Sequence, residues 1–365
     1  MALGLMSGTS MDAIDLAILK TDGESILEFG PVGEAPFSPE ERVLLREAML
    51  DAKGIERRGD RSGIIAVAES ILTEKHTRAV NEFLKAHNLR SQDIGVIGFH
   101  GQTVIHRPER GLTVQLGDGQ KLADAIGAPV VYDFRADDMA AGGQGAPFAP
   151  AYHRALADMA DLPRPLAVVN LGGVANATWI GEDGALLAFD TGPGNALIDD
   201  WMLRRTGAAM DKDGDSARSG VVSQLALEEM LRHPYFTAPA PKSLDRNAFS
   251  LQPVESLSVE DGAATLTAFT AAALAHAAKQ FPASPKRWVL IGGGAHNPAL
   301  VEVIRRVIQA DIITGDEAGW RSEAIEAQAF AYLAVRSLYG LPLSFPGTTG
   351  VSAPQTGGIL VKPRA

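Results

Sequence analysis

The sequence contains no cysteine in 365 residues, and aromatic side chains make up only 6% of it. Without cysteine there is no disulfide, no thiolate nucleophile and no cysteine-based zinc site. Lysine and arginine number 33 against 44 acidic residues, which gives a formal net charge of −11, and no long basic run interrupts this excess. We therefore expect neither a nucleic acid nor an anionic membrane as a partner.

Long apolar runs are missing as well. The most apolar later stretch, LTAFTAAALAHAAKQF, is rich in alanine and ends in charge, which predicts a buried helix and no membrane span. The chain begins without the basic region and apolar stretch of a signal peptide. Hydrophobic residues nevertheless make up 46% of the sequence, enough for a sizeable core. We therefore expect a cytoplasmic α/β protein with two lobes.

The predicted elements follow a similar order in the two halves of the chain. The first half opens with strands near residues 2–6, 14–19 and 26–29, followed by a helix capped by Ser38 and then by alternating helices and strands. The second half opens with the strands LAVVN, ATWI and ALLAFD and continues in the same way. Each half begins with a hairpin whose turn is polar and contains glycine. We therefore predict two related halves that face a central cleft.

The first hairpin turn, SGTSMDAID, combines hydroxyls, a glycine and acids. A capping box from Thr9 to Asp12 would begin a helix, but the residues after Asp12 alternate as a strand does. A plain hairpin turn needs no such set of hydroxyls. Backbone N–H groups and hydroxyls around a glycine suit phosphate oxygens, and Asp12 could hold Mg²⁺ directly or through water. No GxxxxGK[ST] sequence occurs, which excludes a P-loop.

Two further glycine-rich turns are candidates for nucleotide binding. In NLGGVAN, residues 170–176, the glycine pair lets a backbone approach a ligand closely, although such pairs are common in turns. In IGGGAHNPAL, residues 291–300, a strand leads into a helix with Asn297 as its predicted N-cap. A helix N-terminus after such a turn suits the phosphate or sugar of a nucleotide. The GxGxxG fingerprint of dinucleotide sites is not met.

The segment AFDTGPGN, residues 188–195, is the candidate for proton transfer. Asp190 is predicted to end an apolar strand before a tight turn, a position typical of a general base. The alternative is a helix cap, but Asn195 is already predicted to cap the helix that follows. His100 in HGQT is either structural or part of a site. The acids Asp211, Asp213 and Asp215 resemble a calcium loop without its spacing, so we interpret them as a loop or a secondary contributor to the cleft.

The sequence resembles the anhydro-N-acetylmuramic acid kinases over essentially its whole length, through segments in the same order. They are GLMSGTSMDAID, GFHGQT, TVQLGDG, DFRADDMAAGGQGAP, NLGGVAN, FDTGPGN, DKDGDSARSG, PKSLDRNAF, IGGGAHN and EAQAFAYLA. The resemblance implies the two-lobed ATPase fold of actin, hexokinase and the heat-shock chaperones, built from two ribonuclease-H-like lobes. Residues 1–137, completed by about 346–365, would form the first lobe and residues 138–345 the second, with the nucleotide site.

The resemblance also implies a reaction. ATP with Mg²⁺ would phosphorylate 1,6-anhydro-N-acetylmuramic acid to N-acetylmuramic acid 6-phosphate, in peptidoglycan recycling and by a homodimer. Asp190 would deprotonate the water that attacks C1, and the O6 released would attack the γ-phosphorus. Glu326, in EAQAF, matches an acid at the family's active site, with an exposed i,i+4 partner on a helix as the alternative.

The resemblance assigns the remaining site residues in groups. The phosphates would contact Gly8, Thr9, Ser10, Met11, Asp12, Ala13, Ile14, Asp15, Asn170, Gly172, Gly173 and Asn176. The nucleoside would contact Gly292, Gly293, Gly294 and Asn297. The sugar would contact His100, Gln102, Thr103, Arg135, Gly192, Pro193, Gly194 and Asn195, and Asp12 would be on the magnesium side.

Two departures from the family pattern bear on the substrate. Family members often have glycine at Ala13, so the first turn would be slightly less open here. Many carry arginines at Ala136 and Asp137, and if one of them holds the lactyl carboxylate, Arg135 would have to take over.

Three other functions compete with this one. They are a kinase of the same fold acting on another sugar, a nucleotide-switched binding protein, and a glycosidase using Asp190 and Glu326 as a carboxylate pair. A nucleotide-switched clamp needs the phosphate turns but no acid at a sugar carbon. A glycosidase would leave the phosphate turns unexplained.

Overall fold

The computed structural model describes residues 1–8 and 11–364. Its strands are β1 (Ala2–Ser7), β2 (Ala13–Thr21), β3 (Ile26–Pro36), β4 (Val96–Phe99), β5 (Gln102–Arg107), β6 (Leu112–Leu116), β7 (Val130–Tyr132), β8 (Leu166–Leu171), β9 (Val174–Ile180), β10 (Leu186–Pro193), β11 (Arg287–Ile291), β12 (Asp311–Thr314) and β13 (Ile359–Val361). Its helices are α1 (Pro39–Asp51), α2 (Gly63–Ala86), α3 (Gly119–Ile126), α4 (Ala136–Ala140), α5 (Ala149–Met159), α6 (Ala196–Thr206), α7 (Asp215–Ser219), α8 (Gln224–Leu231), α9 (Val259–Ala278), α10 (Pro298–Val307), α11 (Ile325–Leu338) and α12 (Pro346–Thr349).

The two main sheets have the same internal order. In one, β3, β2 and β1 are antiparallel neighbours and β4 and β7 continue parallel to β1, with the short β13 beyond β7. In the other, β10, β9 and β8 are antiparallel and β11 and β12 follow in parallel. This repeated arrangement is that of a ribonuclease-H-like unit, so the predicted fold class is confirmed.

The chain divides into two compact units. Met1–Met159 together with Glu323–Ala365 form the first unit, and Ala160–Ser322 form the second. These bounds differ from the predicted lobes, which had residues 138–345 in the second lobe. The structure places residues 138–159 and 323–345 in the first unit. The physical reason is that α11 returns to the first sheet and packs on β1, β2 and β4.

The packing of α11 depends on a small residue in β1. A Cβ atom at Gly4 would lie 1.7 Å from the carbonyl oxygen of Ala327, so only glycine lets the helix backbone come this close to the strand. The helix itself contributes small buried side chains at this face, among them Ala327 and Ala331. Large buried aromatics such as Phe99 in the first unit and Trp201 and Trp288 in the second fill the cores around the sheets.

Three local predictions are confirmed, namely two helix caps and the buried alanine-rich helix. Ser38 forms the capping box with Glu41, and Asp118 caps α3 by accepting from the N–H of Lys121. The alanine-rich stretch lies in α9, most of whose residues are buried. In residues 1–8 and 11–364, no helix combines the length and apolar character that a membrane crossing needs. The segment after Asp12 is strand β2, so the capping-box alternative for the first turn is wrong.

One strand prediction near the site needs correction. Asp190 does not end its strand, because β10 continues to Pro193. The pairing with β9 shifts between Asp190 and Gly192, which leaves Thr191 as the extra residue of a β-bulge. Such bulges bend a strand and redirect its side chains, so Thr191, Gly192 and Pro193 form a distorted strand end, and only Gly194 and Asn195 lie between the strand and α6.

Candidate active site

Hydrogen bonds connect the first hairpin turn to the loop after β4. The buried Ser7 hydroxyl donates to the carbonyl of Gly101 at 3.0 Å, and Gln102 Nε2 donates to the carbonyl of Gly8 at 3.2 Å. Met11 has a φ of 54° and its N–H donates to the Gly8 carbonyl, which tightens the turn. Asp12 Oδ1 accepts from the N–H of Ala13 at 3.0 Å. Thr9 and Ser10, predicted for the phosphates, lie outside the described residues.

The predicted sugar residues of this loop are mostly engaged with protein. Gln102, which is bonded to Gly8, is fully buried. Thr103 Oγ1 accepts from Gln115 Nε2 at 3.2 Å. His100 Nδ1 donates to the Gly101 carbonyl at 2.7 Å, and its Nε2 accepts from Arg135. Burial, then the positive charge of Arg135, lower the pKa of His100 to about 3. The imidazole is therefore neutral, and a sugar could contact only its carbon atoms.

Arg135 is the cation of the first unit's candidate site. It donates to His100 Nε2 at 2.9 Å and to the carbonyl of Gly145 at 2.7 Å, and its guanidinium lies 5.7 Å from the centre of the Phe148 ring. Burial lowers its pKa to about 10, while the charge of Glu326 opposes this shift. The guanidinium stays charged at neutral pH and is held at two nitrogens. Its Nε is buried and has no partner among the described residues.

Three carboxylates from different elements lie near one another in the first unit. They are Asp12 in the turn, Asp15 on β2 and Glu326 in the first turn of α11. Burial raises the pKa of Asp15 to about 7, and the charges of Glu326, Asp12 and Glu34 add to the effect. The side chain of Glu326 is exposed, but the surrounding protein partly desolvates its carboxylate and raises its pKa. The charge of Arg135 opposes this shift, and the charge of Asp12 adds to it. Ala329 and Phe330, three and four positions along, carry no charge, so the alternative role of a helical ion-pair partner has no basis there.

The three carboxylates fit a divalent cation that takes most of its ligands from water and substrate phosphates. Burial is the main cause of the raised pKa of Asp15, and a cation would relieve the repulsion between carboxylates that adds to it. Among the residues that the structure describes, no three or more histidine, aspartate or glutamate side chains are arranged to enclose a metal ion. Mg²⁺ commonly binds through one or two carboxylates, with water and substrate phosphates completing its octahedron. The donor set therefore matches Mg²⁺ better than a metal that needs a complete protein cage.

The second unit brings three predicted segments together. They are the turn at Gly172 and Gly173 between β8 and β9, the start of α6 at Asn195, and the loop after β11 at Gly292–Gly294. The N–H of Asn195 donates to the Gly172 carbonyl at 2.8 Å, and its side-chain amide donates to the Leu171 carbonyl at 3.0 Å. A Cβ at Gly194 would lie 2.2 Å from the carbonyl oxygen of Gly172, so this contact requires glycine. A Cβ at Gly292 would likewise lie 2.2 Å from Asn170 Oδ1.

The two predicted helix caps of this unit differ. Asn297 accepts from the N–H groups of Ala299 and Leu300, at 3.1 and 3.2 Å, so its capping role is confirmed. Asn195 occupies the N-cap position of α6, but its side chain makes no capping hydrogen bond, because the amide is used to hold Leu171. The neighbouring Gly192, Pro193 and Gly194 are buried, and Asn195 is half-buried. Asn170 and Asn176 are paired across the hairpin in register.

Asp190 has the environment of a general base. Its Oδ2 accepts from the N–H of Leu244 at 2.7 Å, and in residues 1–8 and 11–364 its Oδ1 accepts no hydrogen bond. Burial raises the pKa of Asp190 to about 6, against the lowering effect of the Leu244 N–H. A half-buried carboxylate of this kind is ionised at neutral pH and can still take up a proton.

Sequence patterns missed the residues that hold Asp190. The hydroxyl of Tyr235 donates to the carbonyl of Asp190, and the N–H of Asp190 donates to the carbonyl of Lys242 at 3.0 Å. The only available signal was the segment PKSLDRNAF, which contains Lys242 and Leu244. In the same segment, Arg246 lies beside Gly173 and forms an ion pair with Asp200 at 2.8 Å.

Two other acids, Asp211 and Asp138, have structural roles. Asp211 is buried and accepts from the N–H groups of Ser216 and Ala217, at 2.9 and 3.0 Å, so it holds the start of α7. Asp138, which sequence analysis did not single out, is buried and accepts from Thr349 Oγ1 at 2.6 Å and from the N–H of Gly145 at 2.7 Å. It therefore fixes the loop whose Gly145 carbonyl binds Arg135.

Comparisons with known proteins give a consistent result. The family model described as anhydro-N-acetylmuramic acid kinase matches residues 1–363. Anhydro-N-acetylmuramic acid kinase from Nitrobacter winogradskyi is 52% identical over 363 residues, which is 99% of each chain. The Methylobacterium nodulans protein of the same name is 52% identical over 372 aligned positions, covering 99% of this chain and 100% of that one.

A third relative and one solved structure complete the comparison. Anhydro-N-acetylmuramic acid kinase from Bradyrhizobium diazoefficiens is 50% identical over 363 residues, again 99% of each chain. Component A of (R)-2-hydroxyglutaryl-CoA dehydratase from Acidaminococcus fermentans matches at a TM-score of 0.48 and 14% identity, over 93% of this chain and 98% of that one. That structural likeness is too distant to bear on function.

Proposed function

Because the chain belongs to the anhydro-N-acetylmuramic acid kinase family, we propose that it opens the 1,6-anhydro ring of 1,6-anhydro-N-acetylmuramic acid with water and transfers the γ-phosphoryl group of ATP to O6. The product is then N-acetylmuramic acid 6-phosphate. We also infer, from the family alone, that the enzyme works in the cytoplasm as a homodimer and serves the recycling of peptidoglycan.

The observation that supports hydrolytic ring opening is the pKa and hydrogen bonding of the Asp190 carboxylate. An ordinary kinase needs no base for water, whereas hydrolytic opening does. A carboxyl group with a pKa of about 6 suits that task, because Leu244 holds one of its oxygens and no residue of the described chain bonds to the other. The fixed oxygen sets the orientation of the group, and Oδ1 is the oxygen that accepts the proton.

The proposed reaction begins with proton transfer to Asp190. A water molecule loses a proton to Asp190 Oδ1 while its oxygen bonds to C1 of the sugar. The C1–O6 bond breaks, and O6 keeps the electron pair. The O6 anion attacks the γ-phosphorus of ATP, ADP leaves, and the proton on Asp190 passes to solvent. Positioning and electrostatic stabilisation account for most of the catalysis of such phosphoryl transfers.

The remaining predicted residues have binding roles in this proposal. The turns Gly8–Asp15 and Asn170–Asn176 each offer backbone N–H groups to phosphate oxygens, as glycine-containing turns commonly do. Gly292–Asn297 is proposed for the nucleoside. Arg135, held at two nitrogens, is proposed to bind the lactyl carboxylate in place of the arginines absent at Ala136 and Asp137. Asp12 and Asp15 would hold Mg²⁺, in part through water, and Mg²⁺ would spread the negative charge of the phosphates.

Isotope labelling tests the proposal directly. The protein is incubated with ATP, Mg²⁺ and the anhydro sugar in ¹⁸O-water, and the products are analysed by mass spectrometry and ¹³C NMR. We expect a sugar phosphate with one ¹⁸O on C1, none between O6 and phosphorus, and an equal amount of ADP. Label at phosphate with no label at C1 would mean simple ATP hydrolysis and would refute the ring-opening step. Unlabelled phosphosugar from a sugar with a free hydroxyl would point to a different acceptor.

A further inference from the structure

An irregular segment, Tyr235–Leu244, contacts the edge of the second sheet at Asp190 and is called here the bracing segment. Strand β10 is at the edge of its sheet, and within residues 1–8 and 11–364 its strand neighbour is β9 alone. Edge strands leave backbone N–H and C=O groups without strand partners, and such groups need other partners when they are buried. At Asp190 both groups are satisfied by the bracing segment: the N–H by Lys242 and the carbonyl by Tyr235.

The bracing segment contacts Asp190 at a third point, its carboxylate. The N–H of Leu244 donates to Oδ2 at 2.7 Å. One residue is thus held through its N–H, its carbonyl and its side chain by the same stretch of chain. These three contacts lie where the pairing of β10 with β9 shifts between Asp190 and Gly192, and a β-bulge locally disrupts the ladder between two strands.

Lys242 and Tyr235 also hold the bracing segment to itself. Lys242 Nζ donates to the carbonyls of Tyr235 and Ala238, at 2.8 and 3.0 Å. The same ammonium group lies 4.5 Å from the centre of the Tyr235 ring and 5.9 Å from that of Phe189, the residue before Asp190. Apart from the short turn of helix at Pro234–Thr237, the segment has no regular structure. These side-chain contacts therefore take the place of a strand or helix.

We propose that Tyr235 and Lys242 are positioning residues, which hold the bracing segment so that Asp190 keeps Oδ2 on the Leu244 N–H and directs Oδ1 to the reacting water. The proposal rests on the proposed function, because it assigns a cause to the orientation of the base. Neither side chain needs to touch the sugar or the nucleotide. Their effect is on the geometry and proton affinity of one carboxylate.

The proposal makes a prediction that a merely structural role does not. The Leu244 N–H lowers the pKa of Asp190, in opposition to burial. A variant with a loosened bracing segment loses part of this bond, so the pKa of the base rises. The acid limb of the kcat/KM profile must then move to higher pH. General loss of folded protein would reduce the rate at every pH and leave the limb in place.

The experiment uses the full-length enzyme with Tyr235→Phe and Lys242→Met. Tyr235→Phe removes only the hydroxyl, and Lys242→Met keeps an unbranched side chain, one atom shorter, but removes its N–H donors. We expect kcat to fall about 10- to 100-fold in each variant, in line with the loss of one or two supporting hydrogen bonds. The acid limb should rise by about half a pH unit, and the KM for ATP should stay the same. Lys242→Arg should restore part of the loss.

Thr237→Val is the matched control. Thr237 lies in the same segment, is exposed, and donates to the carbonyl of Pro234 at 2.9 Å. Its rate and acid limb should equal those of the wild type. All tryptophans of the sequence lie between residues 179 and 320, so tryptophan fluorescence reports whether the second unit is folded in each variant. If Lys242→Met fails to fold, the isosteric Tyr235→Phe decides alone.

The two proposals fail in different ways. If the product carries no ¹⁸O at C1, or if Asp190→Asn is fully active, the proposed function is wrong. If labelling and Asp190→Asn behave as expected but Tyr235→Phe has the acid limb of the wild type, the positioning role is wrong even if its rate is lower.

Discussion

Arg135 Nη2 donates a hydrogen bond to Nε2 of His100, 2.9 Å away, while Nη1 donates to the Gly145 carbonyl. Because His100 is neutral, its Nε2 lone pair is free to accept this bond. A histidine that was predicted to contact the sugar thus fixes the direction of an arginine. The pair gives the first unit one immobilised positive charge near Glu326.

Arg135→Lys should weaken binding of the anhydro sugar. Lysine keeps the charge but cannot donate to His100 and Gly145 at once with the planar geometry of a guanidinium. We expect the KM for the sugar to rise about 10- to 100-fold, with a smaller change in kcat, because charge-assisted hydrogen bonds are each worth about 1.5–3 kcal/mol. Steady-state kinetics with each substrate varied in turn will measure this. An unchanged sugar KM would remove Arg135 from the sugar site.

His100→Phe tests the support of Arg135 separately. Phenylalanine keeps the ring contact with Phe330, whose ring centre lies 4.6 Å away, but gives Arg135 no acceptor. We expect the sugar KM to rise about fivefold or more while the KM for ATP is unaffected. His87→Phe, at an exposed histidine of the same unit, is the control and should leave both constants unchanged.

The rate of the enzyme should depend on the ionisation of Asp190. The base must be deprotonated, so kcat/KM should rise as the pH increases through about 6 and then level off. Asp190→Asn should lower kcat by several orders of magnitude and remove this limb, while nucleotide binding measured by calorimetry persists. Asp199→Asn is a useful control, because burial also raises the pKa of Asp199 to about 6. If the limb disappears in Asp199→Asn and survives in Asp190→Asn, the base has been assigned to the wrong residue.

The capping and hairpin predictions succeeded because their causes are local. Ser38 and Asp118 are bonded to residues three positions along the chain, and a strand after Asp12 is visible in its alternating side chains. Short sequence windows contain all the information that such features need. The predicted fold class follows from the same elements, repeated in the same order in the two units.

The surroundings of Asp190 could not be predicted in this way. Tyr235 and Leu244 are 45 and 54 residues from Asp190 along the chain, and no local pattern brings them together. The sequence TGPGN is typical of a turn, but pairing with β9 extends the strand to Pro193. The short strands β12 and β13 are likewise defined by the neighbours they pair with, and their own residues give little signal.

Alanine substitutions at Gly172 and Gly194 should distinguish an effect on ATP binding from an effect on stability. A Cβ at Gly172 would have no neighbour nearer than 3.4 Å, whereas a Cβ at Gly194 would lie 2.2 Å from the Gly172 carbonyl oxygen. Gly172→Ala should therefore unfold at the same urea concentration as the wild type and raise the KM for ATP, because the methyl group crowds the phosphates. Gly194→Ala should lose about 1–3 kcal/mol of stability, the range of an overpacked site, in tryptophan fluorescence measurements. Equal stability losses in the two variants would contradict this distinction.

Asp15→Asn should make the free protein more stable and the enzyme less active. Asp15 has a pKa of about 7 in the folded state, above its unfolded value, so ionising it costs folding free energy as the pH rises from about 4 to 7. At pH 8 and without Mg²⁺, the amide should add about 1 kcal/mol to the free energy of unfolding, after allowance for solvent screening. At pH 4 the gain should vanish.

The same substitution should reduce the effect of magnesium. If Asp15 helps to hold Mg²⁺, the ion should raise the unfolding midpoint of the wild type with ATP present more than that of Asp15→Asn. Asp22→Asn, at an exposed acid whose pKa is lowered by backbone hydrogen bonds, is the control. It should lose a little stability at pH 8 and keep the full response to Mg²⁺.

His76 should make the first unit sensitive to acid. It is fully buried on α2, its Nδ1 is bonded to the Leu72 carbonyl, and burial lowers its pKa to about 4. The unfolded chain takes up a proton at about pH 6.5, so stability falls as the pH drops from there towards 4. At pH 5 this amounts to about 2 kcal/mol.

His76→Leu should remove this part of the acid sensitivity. We compare the loss of unfolding free energy between pH 7.5 and pH 5 in the two proteins, because the contributions of all other titrating groups cancel in the difference. The first unit has no tryptophan, so urea unfolding must be followed by far-ultraviolet circular dichroism. The variant should lose about 2 kcal/mol less than the wild type. His87→Leu, at an exposed position, should lose as much as the wild type, and equal losses in all three proteins would show that His76 does not titrate on unfolding.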